Sequence, residues 1–319
     1  MGRKLQITLI IIALFSFLTG VLTSCNVVKI FQKNTLHQLK RNGFQEVNLT
    51  DTQANIHFVY KREGKPPIVL LHVFSADGII QWYKTAIFLS KDFDVIIPDL
   101  YFHGKSYYSD TSVSLEKQAE LLEKVIDYLQ IDTQLVITGN SYGGMTAVKF
   151  AVQHKNLVSK LIVVNAPILH FSMQEADSLA RLSGLKNTVD LLCPIEVSSL
   201  KKSFGLIYHR PPWLPSIVFR QIIRDKIIPM REERIRILSG LEAESEQFAQ
   251  LAKDDLPDLF LIWGRHDHLL PMEACHKIQQ QWEIPGDHLI IFEEAAHCPN
   301  VEFPYQFAEA IRLIVKNKY

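Results

Sequence analysis

The chain has 319 residues, 47% hydrophobic and 21% charged, with 34 basic and 34 acidic side chains. That length suits one large globular domain with an insertion, or two domains. The charge balance lacks the basic surplus with which a nucleic-acid binder holds phosphates, so no nucleic-acid partner is expected.

The first residues read as a leader. Arg3 and Lys4 precede the apolar run Ile7–Leu18, and Leu22-Thr23-Ser24-Cys25 follows with small residues and a cysteine. Basic, then apolar, then small is the order of a secretory signal. The ending resembles the lipobox of bacterial lipoproteins, which implies cleavage before Cys25 and lipid attachment to it. The alternative is an uncleaved anchor, because Leu5–Leu22 is nearly long enough to span a bilayer. Both readings place the body in the cell envelope, facing the periplasm or exterior beside a membrane. Residues 1–24 are thus assigned to a signal peptide, and 25–54 to the lipidated cysteine and a tether.

Residues 55–166 read as the first part of a core. Asn55–Tyr60 alternates like a strand, and Ile68–Leu71 is a short unbroken apolar run suited to a strand buried on both faces. A loop, His72–Gly78, follows it. The pattern then predicts a helix over Gln81–Leu89, a strand over Phe93–Ile97, a loop from Asp99 to Ser106 and a helix over Leu115–Leu129. The strand Leu135–Ile137 leads to Gly139-Asn140-Ser141-Tyr142-Gly143-Gly144, a helix to Gln153 and the strand Leu161–Val164. Strands alternating with helices predict an α/β fold with a mostly parallel, doubly wound sheet. Ligands of such sheets sit beyond the carboxyl ends of the strands, where Ser141 and the His72 loop fall.

Residues 167–257 change character. Helical spacing marks Gln174–Leu182, Phe219–Ile228 and Arg231–Leu251, the last with a possible break at Gly240, and no buried strand is evident. A crossover between parallel strands needs only about a dozen residues, so most of this interval is expected to be an inserted helical cap. Residues 258–319 restore the core pattern. Strands are predicted at Leu259–Trp263 and Leu289–Phe292, with helices at Met272–Gln281 and Pro304–Val315.

The chemistry starts at Ser141. A serine hydroxyl is a poor nucleophile until a base removes its proton. G-x-S-x-G between a buried strand and a helix projects the hydroxyl from a sharp turn, with glycines leaving room for the crowded backbone. The helix beginning after Ser141 aims free N–H groups and its positive dipole end at a developing oxyanion. Such a serine needs a histidine base, and the histidine needs a carboxylate to fix its tautomer. Gly264-Arg265-His266-Asp267-His268 and Ala295-Ala296-His297-Cys298-Pro299 each follow a late strand. They supply Asp267 and His297 in the chain order Ser, Asp, His.

These blocks resemble the α/β-hydrolase fold of the lipase and esterase type. The matching segments are VLLHVF, PDLYFHGKS, TGNSYGG, LIWGRHDHLLP and FEEAAHCPNVEFP, spread over roughly Asn55 to Val315. The cap segment with Tyr208, Pro211-Pro212, Trp213, Leu214 and Pro215 resembles cold-adapted bacterial lipases and membrane-bound monoacylglycerol lipases. The resemblance implies Ser141 as nucleophile, His297 as base and Asp267 as acid, with the backbone N–H groups of Phe74 and Tyr142 as oxyanion hole. It implies a serine carboxylester hydrolase working through an acyl-enzyme, with no cofactor and a small-molecule or lipid ester as substrate. One departure stands out. The family usually has His-Gly after the first buried strand, and here Val73 replaces the glycine. A valine at φ > 0 would be strained, so this loop is expected to be repositioned around Phe74.

Other residues compete for roles. His72 and His103 read as loop structure, because the triad needs a single base. Asp77 and Asp99 are alternative acids on early loops. His266 and His268 flank Asp267, but two histidines two apart are a weak metal signature, and no metal is expected. Of Cys193, Cys275 and Cys298, at least one must be free or pair with another chain. Phe204, Tyr208, Trp213 and Phe219 are either cap core or a lipid-facing surface, with Tyr208, Trp213 and Phe219 as candidate acyl-binding residues. The same triad could instead cleave C–C bonds of dienoic ketones or transfer acyl groups, and the fold could also serve as a non-catalytic binding module.

Overall fold

The computed structural model describes residues 26–110, 114–169 and 171–316. The signal segment and Cys25 lie outside them. In chain order come α1 (Val27–Arg41), β1 (Gln45–Thr50), β2 (Ala54–Lys61), β3 (Pro67–Leu71), α2 (Gly78–Leu89), β4 (Asp94–Pro98), β5 (Tyr107–Tyr108), α3 (Leu115–Tyr128), β6 (Leu135–Asn140), α4 (Tyr142–Gln153) and β7 (Val158–Val164). Then follow α5 (Met173–Leu182), α6 (Thr188–Leu192), α7 (Val197–Ile207), α8 (Ser216–Ile222) and α9 (Arg231–Phe248). The chain closes with β8 (Asp258–Gly264), α10 (Met272–Gln281), β9 (Leu289–Phe292), α11 (Pro299–Glu302) and α12 (Pro304–Val315).

One sheet runs in the order β1-β2-β4-β3-β6-β7-β8-β9, with β5 beside β2. The pairs from β4 through β9 are parallel, and β1 and β2 form an antiparallel edge. The unbroken apolar strands predict this, since a parallel sheet must be covered on both faces. In β3, Ile68 and Leu70 join a cluster with Trp82 and Phe307 on one face, while Val69 and Leu71 join Met145 and Phe150 on the other. The two-residue period of a strand thus feeds two cores.

The tether reading of residues 25–54 needs correction for the described part. Helix α1 buries Val28, Thr35 and Leu39, and β1 pairs with β2 from Gln45 opposite Tyr60 to Thr50 opposite Asn55. Its few buried positions and the polar edge strand hid both elements. Between β7 and β8 the described residues hold five α-helices, a π-helical turn (Ile223–Ile227) and no strand. Helix α9 runs unbroken through Gly240, where nothing crowds the position a side chain would take. Cys193, Cys275 and Cys298 are all free and buried. Among the described residues, no helix is long and apolar enough to cross a membrane.

Candidate active site

Strand β6 lies at the middle of the sheet, between β3 and β7, and every one of its residues is buried. Ser141 follows it with φ 55° and ψ −118°, a left-handed backbone held by its N–H donating to the Val164 carbonyl (2.9 Å). A non-glycine residue in that region stores strain, and such strain concentrates at functional sites. The chain doubles back so tightly that a Cβ on Gly139 would lie 2.0 Å from the Gly143 carbonyl oxygen. One on Gly143 would meet the Leu71 and His72 carbonyls at 2.6 Å. Any larger residue at either position would open the turn or push the β3 loop away. Ser141 itself is half-buried.

Asp267 sits on the loop after β8 with both carboxylate oxygens fully used. Oδ2 accepts from His297 Nδ1 (2.8 Å) and Asn165 Nδ2 (2.6 Å), and Oδ1 accepts the N–H groups of Leu269 (2.8 Å) and Leu270 (3.0 Å). Because the carboxylate only accepts, Nδ1 of His297 carries the proton, and in the neutral ring Nε2 is the nitrogen that presents a lone pair. His297 is buried on the loop after β9 and held at both backbone groups. Its N–H donates to the Ile207 carbonyl at the end of α7 (3.0 Å), and its carbonyl accepts from Asn140 Nδ2 (3.1 Å). Asn140 immediately precedes Ser141. The structure therefore brings the predicted acid and base into one hydrogen-bonded unit and pins that unit to the residue before the predicted nucleophile.

The loop after β3 is tied to the same point. The N–H of Val73 donates to Gln81 Oε1 (2.7 Å), and Gln81 Nε2 donates to Asn140 Oδ1 (2.9 Å). Val73 is not in the left-handed region, so valine is tolerated there. The strained residue is Ser75 (φ 60°), whose hydroxyl donates to the Leu192 carbonyl in the cap (2.5 Å). The rings of Phe74 and Tyr142 meet edge to face at 5.4 Å. The Tyr142 N–H belongs to the first turn of α4, where no intrahelical acceptor exists, and neither it nor the Phe74 N–H meets an acceptor among the contacts outside helices and strands.

The competing residues have other work. His72 accepts from the Leu100 N–H through Nε2 (2.9 Å) and donates to the Val73 carbonyl through Nδ1 (2.8 Å), and burial lowers its pKa, so it is a neutral brace. Burial also holds His103 well below the usual imidazole range. Asp77 caps α2 and pairs with Lys226 (2.8 Å), and Asp99 accepts from His57 Nδ1 (2.7 Å). His266 stacks on His209 of the cap, with ring centroids 4.0 Å apart. Of the three candidate acyl-binding residues, Tyr208 is half-buried next to Ile207, at the end of the cap helix that braces His297. Phe219 is buried edge-on against Phe204 (5.3 Å), and Trp213 stands 87% exposed on the outside of the cap. Two surface grooves, of about 470 and 250 Å³, lie elsewhere, and Ser141, Asp267 and His297 line neither.

Asn140, Asn165 and Gln81 escaped the sequence reading. The one available signal was Asn140, a polar residue ending an otherwise apolar strand inside the G-x-S-x-G block.

Lipase 1 of Psychrobacter immobilis is 24% identical over 300 residues, covering 91% of this chain and 91% of the lipase. A 2-hydroxy-6-oxononadienedioate/2-hydroxy-6-oxononatrienedioate hydrolase of Paraburkholderia phymatum is 24% identical over 271 residues, covering 82% of this chain and 90% of that one. The crystal structure of a membrane phospholipase A superposes with a TM-score of 0.76 at 20% identity, covering 98% of each chain, which shows a shared fold. The family profile described as alpha/beta hydrolase fold matches residues 66–304. The chain belongs to the alpha/beta hydrolase fold family, and its neighbours of lipase and esterase type mark it as a hydrolase.

Proposed function

We propose that the protein is a serine carboxylester hydrolase acting on lipid esters such as monoacylglycerols or short-to-medium acyl esters. The observation that carries this reading is the Asp267–His297 hydrogen bond of 2.8 Å on a loop pinned by Asn140 to the strained Ser141. In the proposed cycle, Ser141 Oγ attacks the ester carbonyl while His297 Nε2 takes its proton. The N–H groups of Tyr142 and Phe74 receive the oxyanion. His297 then returns the proton to the departing alkoxide, leaving an acyl group on Ser141. Water, deprotonated by the same nitrogen, releases the acid and restores the hydroxyl. Throughout, Asp267 holds the imidazole in one tautomer and stabilises its charged form.

A fluorophosphonate probe tests this directly. Labelling is expected on Ser141 and absent in Ser141→Ala, and labelling that survives the substitution would remove Ser141 from the mechanism. An acyl-chain series of p-nitrophenyl and monoacylglycerol esters then sets the substrate length. A second reading is favoured by the Paraburkholderia phymatum relative, whose name describes hydrolysis of a dienedioate. Under it, the same triad would cleave a carbon–carbon bond. Faster turnover of dienoic ketones than of p-nitrophenyl esters would select that reading.

The envelope location belongs to the same proposal. The order of basic, apolar and small residues before Cys25 supports a leader cleaved ahead of a lipidated cysteine. Labelled palmitate should enter the protein in cells and be lost in Cys25→Ser. With 55–166 and 258–319 as the hydrolase core, 167–257 would be the cap that shapes the acyl site.

A further inference from the structure

We propose that the outer face of the cap around Trp213, with the adjoining start of α1, docks flat on a lipid bilayer, so that the cap and not the back of the sheet faces the membrane. The proposal rests on the lipid-ester reading for its purpose but not for its test.

Trp213 lies in Arg210-Pro211-Pro212-Trp213-Leu214-Pro215 and is 87% exposed, whereas Trp82, Trp263 and Trp282 are at most 1% exposed. An indole left in water on a proline-stiffened strap serves no core. Amphipathic rings of this kind favour the boundary between hydrocarbon and water. Helix α8 begins just after this strap, and its far end holds the start of the described chain. Asn26 Nδ2 donates to Asp225 Oδ2 (2.6 Å), and the Val27 N–H donates to Gln221 Oε1 (2.8 Å). At about 1.5 Å per residue, α8 separates Trp213 from this junction by only some 10–15 Å.

The location of that junction decides the occupant. Cys25 joins Asn26 directly and is the residue the proposed leader would leave lipidated at the start of the mature chain. A lipid on Cys25 would hold Asn26, and with it α8, close to the same bilayer surface. On α1, Ile30 and Phe31 are 57% and 45% exposed, and Ile228 beyond the π-helical turn is 53% exposed. Lys29 on α1 and Arg220 on α8 are exposed as well, Lys29 also acting on Asp225 through its charge, while Arg224 is paired with Asp225 (2.7 Å). Exposed apolar and aromatic side chains with cations on the same elements form the pattern of a surface that settles into headgroups.

The protein carries its own probe, because three of its four tryptophans are shielded. The full chain with Ser141→Ala, which keeps the lipids intact, is reconstituted into phosphatidylcholine vesicles containing anionic lipid, with and without brominated acyl chains. The expected result is a blue shift of the exposed tryptophan component, its loss to bromolipid quenching, and protection from aqueous acrylamide. Trp213→Phe should lack all three changes. Three results would each overturn the proposal. One is Trp213 emission that stays water-like and open to acrylamide on vesicles. A second is a blue shift that follows protein concentration without lipid, which would assign the face to a second copy of this chain. The third is bromolipid quenching that persists in Trp213→Phe. Because the readout needs no turnover, its failure would leave the hydrolase reading untouched, and a failed probe-labelling experiment would leave this one intact.

Discussion

Among the described residues stand two buried histidine–carboxylate pairs, nearly the same in their first bond. His57 Nδ1 meets Asp99 Oδ2 at 2.7 Å near the antiparallel edge, and His297 Nδ1 meets Asp267 Oδ2 at 2.8 Å beyond the parallel strands. The second nitrogen separates them. His57 Nε2 is engaged by Glu46 (3.2 Å), so both edges of that ring are consumed by the fold. His297 Nε2 meets no partner among the described residues, and its loop is tied to the residue preceding Ser141. A carboxylate beside an imidazole is therefore no catalytic signature by itself. What counts is whether the remaining nitrogen is left to act as a base, next to a group with a proton to give.

The sharpest way to break the comparison is to remove each histidine. His297→Ala should lower kcat by about 10⁵–10⁶-fold, the scale of losing a triad member that acts as a unit. His57→Gln should leave kcat close to the parent value but cost about 3–5 kcal/mol of stability, because it takes the imidazole from a buried carboxylate that keeps the Gly78 and Lys105 N–H groups but no ring partner. Ester kinetics and thermal melts on both variants check this, and equal losses of kcat would erase the distinction. Replacing the acids comes next. Asp267→Asn should cost about 10⁴-fold in kcat by favouring the wrong tautomer, while Asp99→Asn should act on melting temperature alone. A smaller effect is expected at Asn140→Ala. A loop freed to shift by about 1 Å costs on the order of 10²-fold, in kcat more than in KM. An unchanged kcat would show that Asn140 holds nothing the chemistry needs.

The smallest effect lies in pH. Burial alone would lower the pKa of His57, but the hydrogen bond and charge of Asp99 outweigh it and hold the imidazole above its ordinary 6.5. Burial would raise that of Asp99, yet the bond to His57 holds it below its ordinary 3.8. A raised histidine pKa contributes stability that is complete below about pH 6.5 and is lost as pH climbs through the folded value. A lowered carboxylate pKa contributes stability present above about pH 3.8 and lost as pH falls through the folded value. Melting temperature should therefore decline as pH rises above about 6.5, and His57→Gln should flatten that decline. Superimposable curves for the two proteins would rule out the His57–Asp99 bond as its source.

The parallel strands were readable because a fully buried strand is a short apolar run, and Ile68–Leu71, Leu135–Ile137 and Leu259–Trp263 are such runs. The edge strand Gln45–Thr50 has no fully buried residue, so it carried no pattern to read. Helices α6 and α7 are short or broken by Cys193-Pro194, and their packing on the loop after β3 through Ser75 and Leu192 spans positions with no local relation. The positions of the candidate residues Ser141, Asp267 and His297 after β6, β8 and β9 were legible from their motifs. The amide groups that hold them together were not. Gln81 reaches Asn140, and Asn165 reaches Asp267, across stretches of chain where no periodicity links the partners. The concern over Val73 followed from assuming that the familiar glycine needs a left-handed backbone. The left-handed position belongs to Ser75.

The three buried thiols have a practical meaning for where this protein can live. Burial raises the pKa of Cys193, lifts that of Cys275 to about 12 and pushes that of Cys298 well above the ordinary thiol value. Disulfide exchange and peroxide attack both proceed through the thiolate. At neutral pH these sulfurs are almost wholly protonated as well as inaccessible. The folded body can thus persist in an oxidising space without cross-links and without an oxidoreductase to protect it. Under the proposed leader, export would depend on folding quickly enough to hide these sulfurs, and any cysteine engineered onto the surface would be the preferred target on the folded body for a maleimide dye.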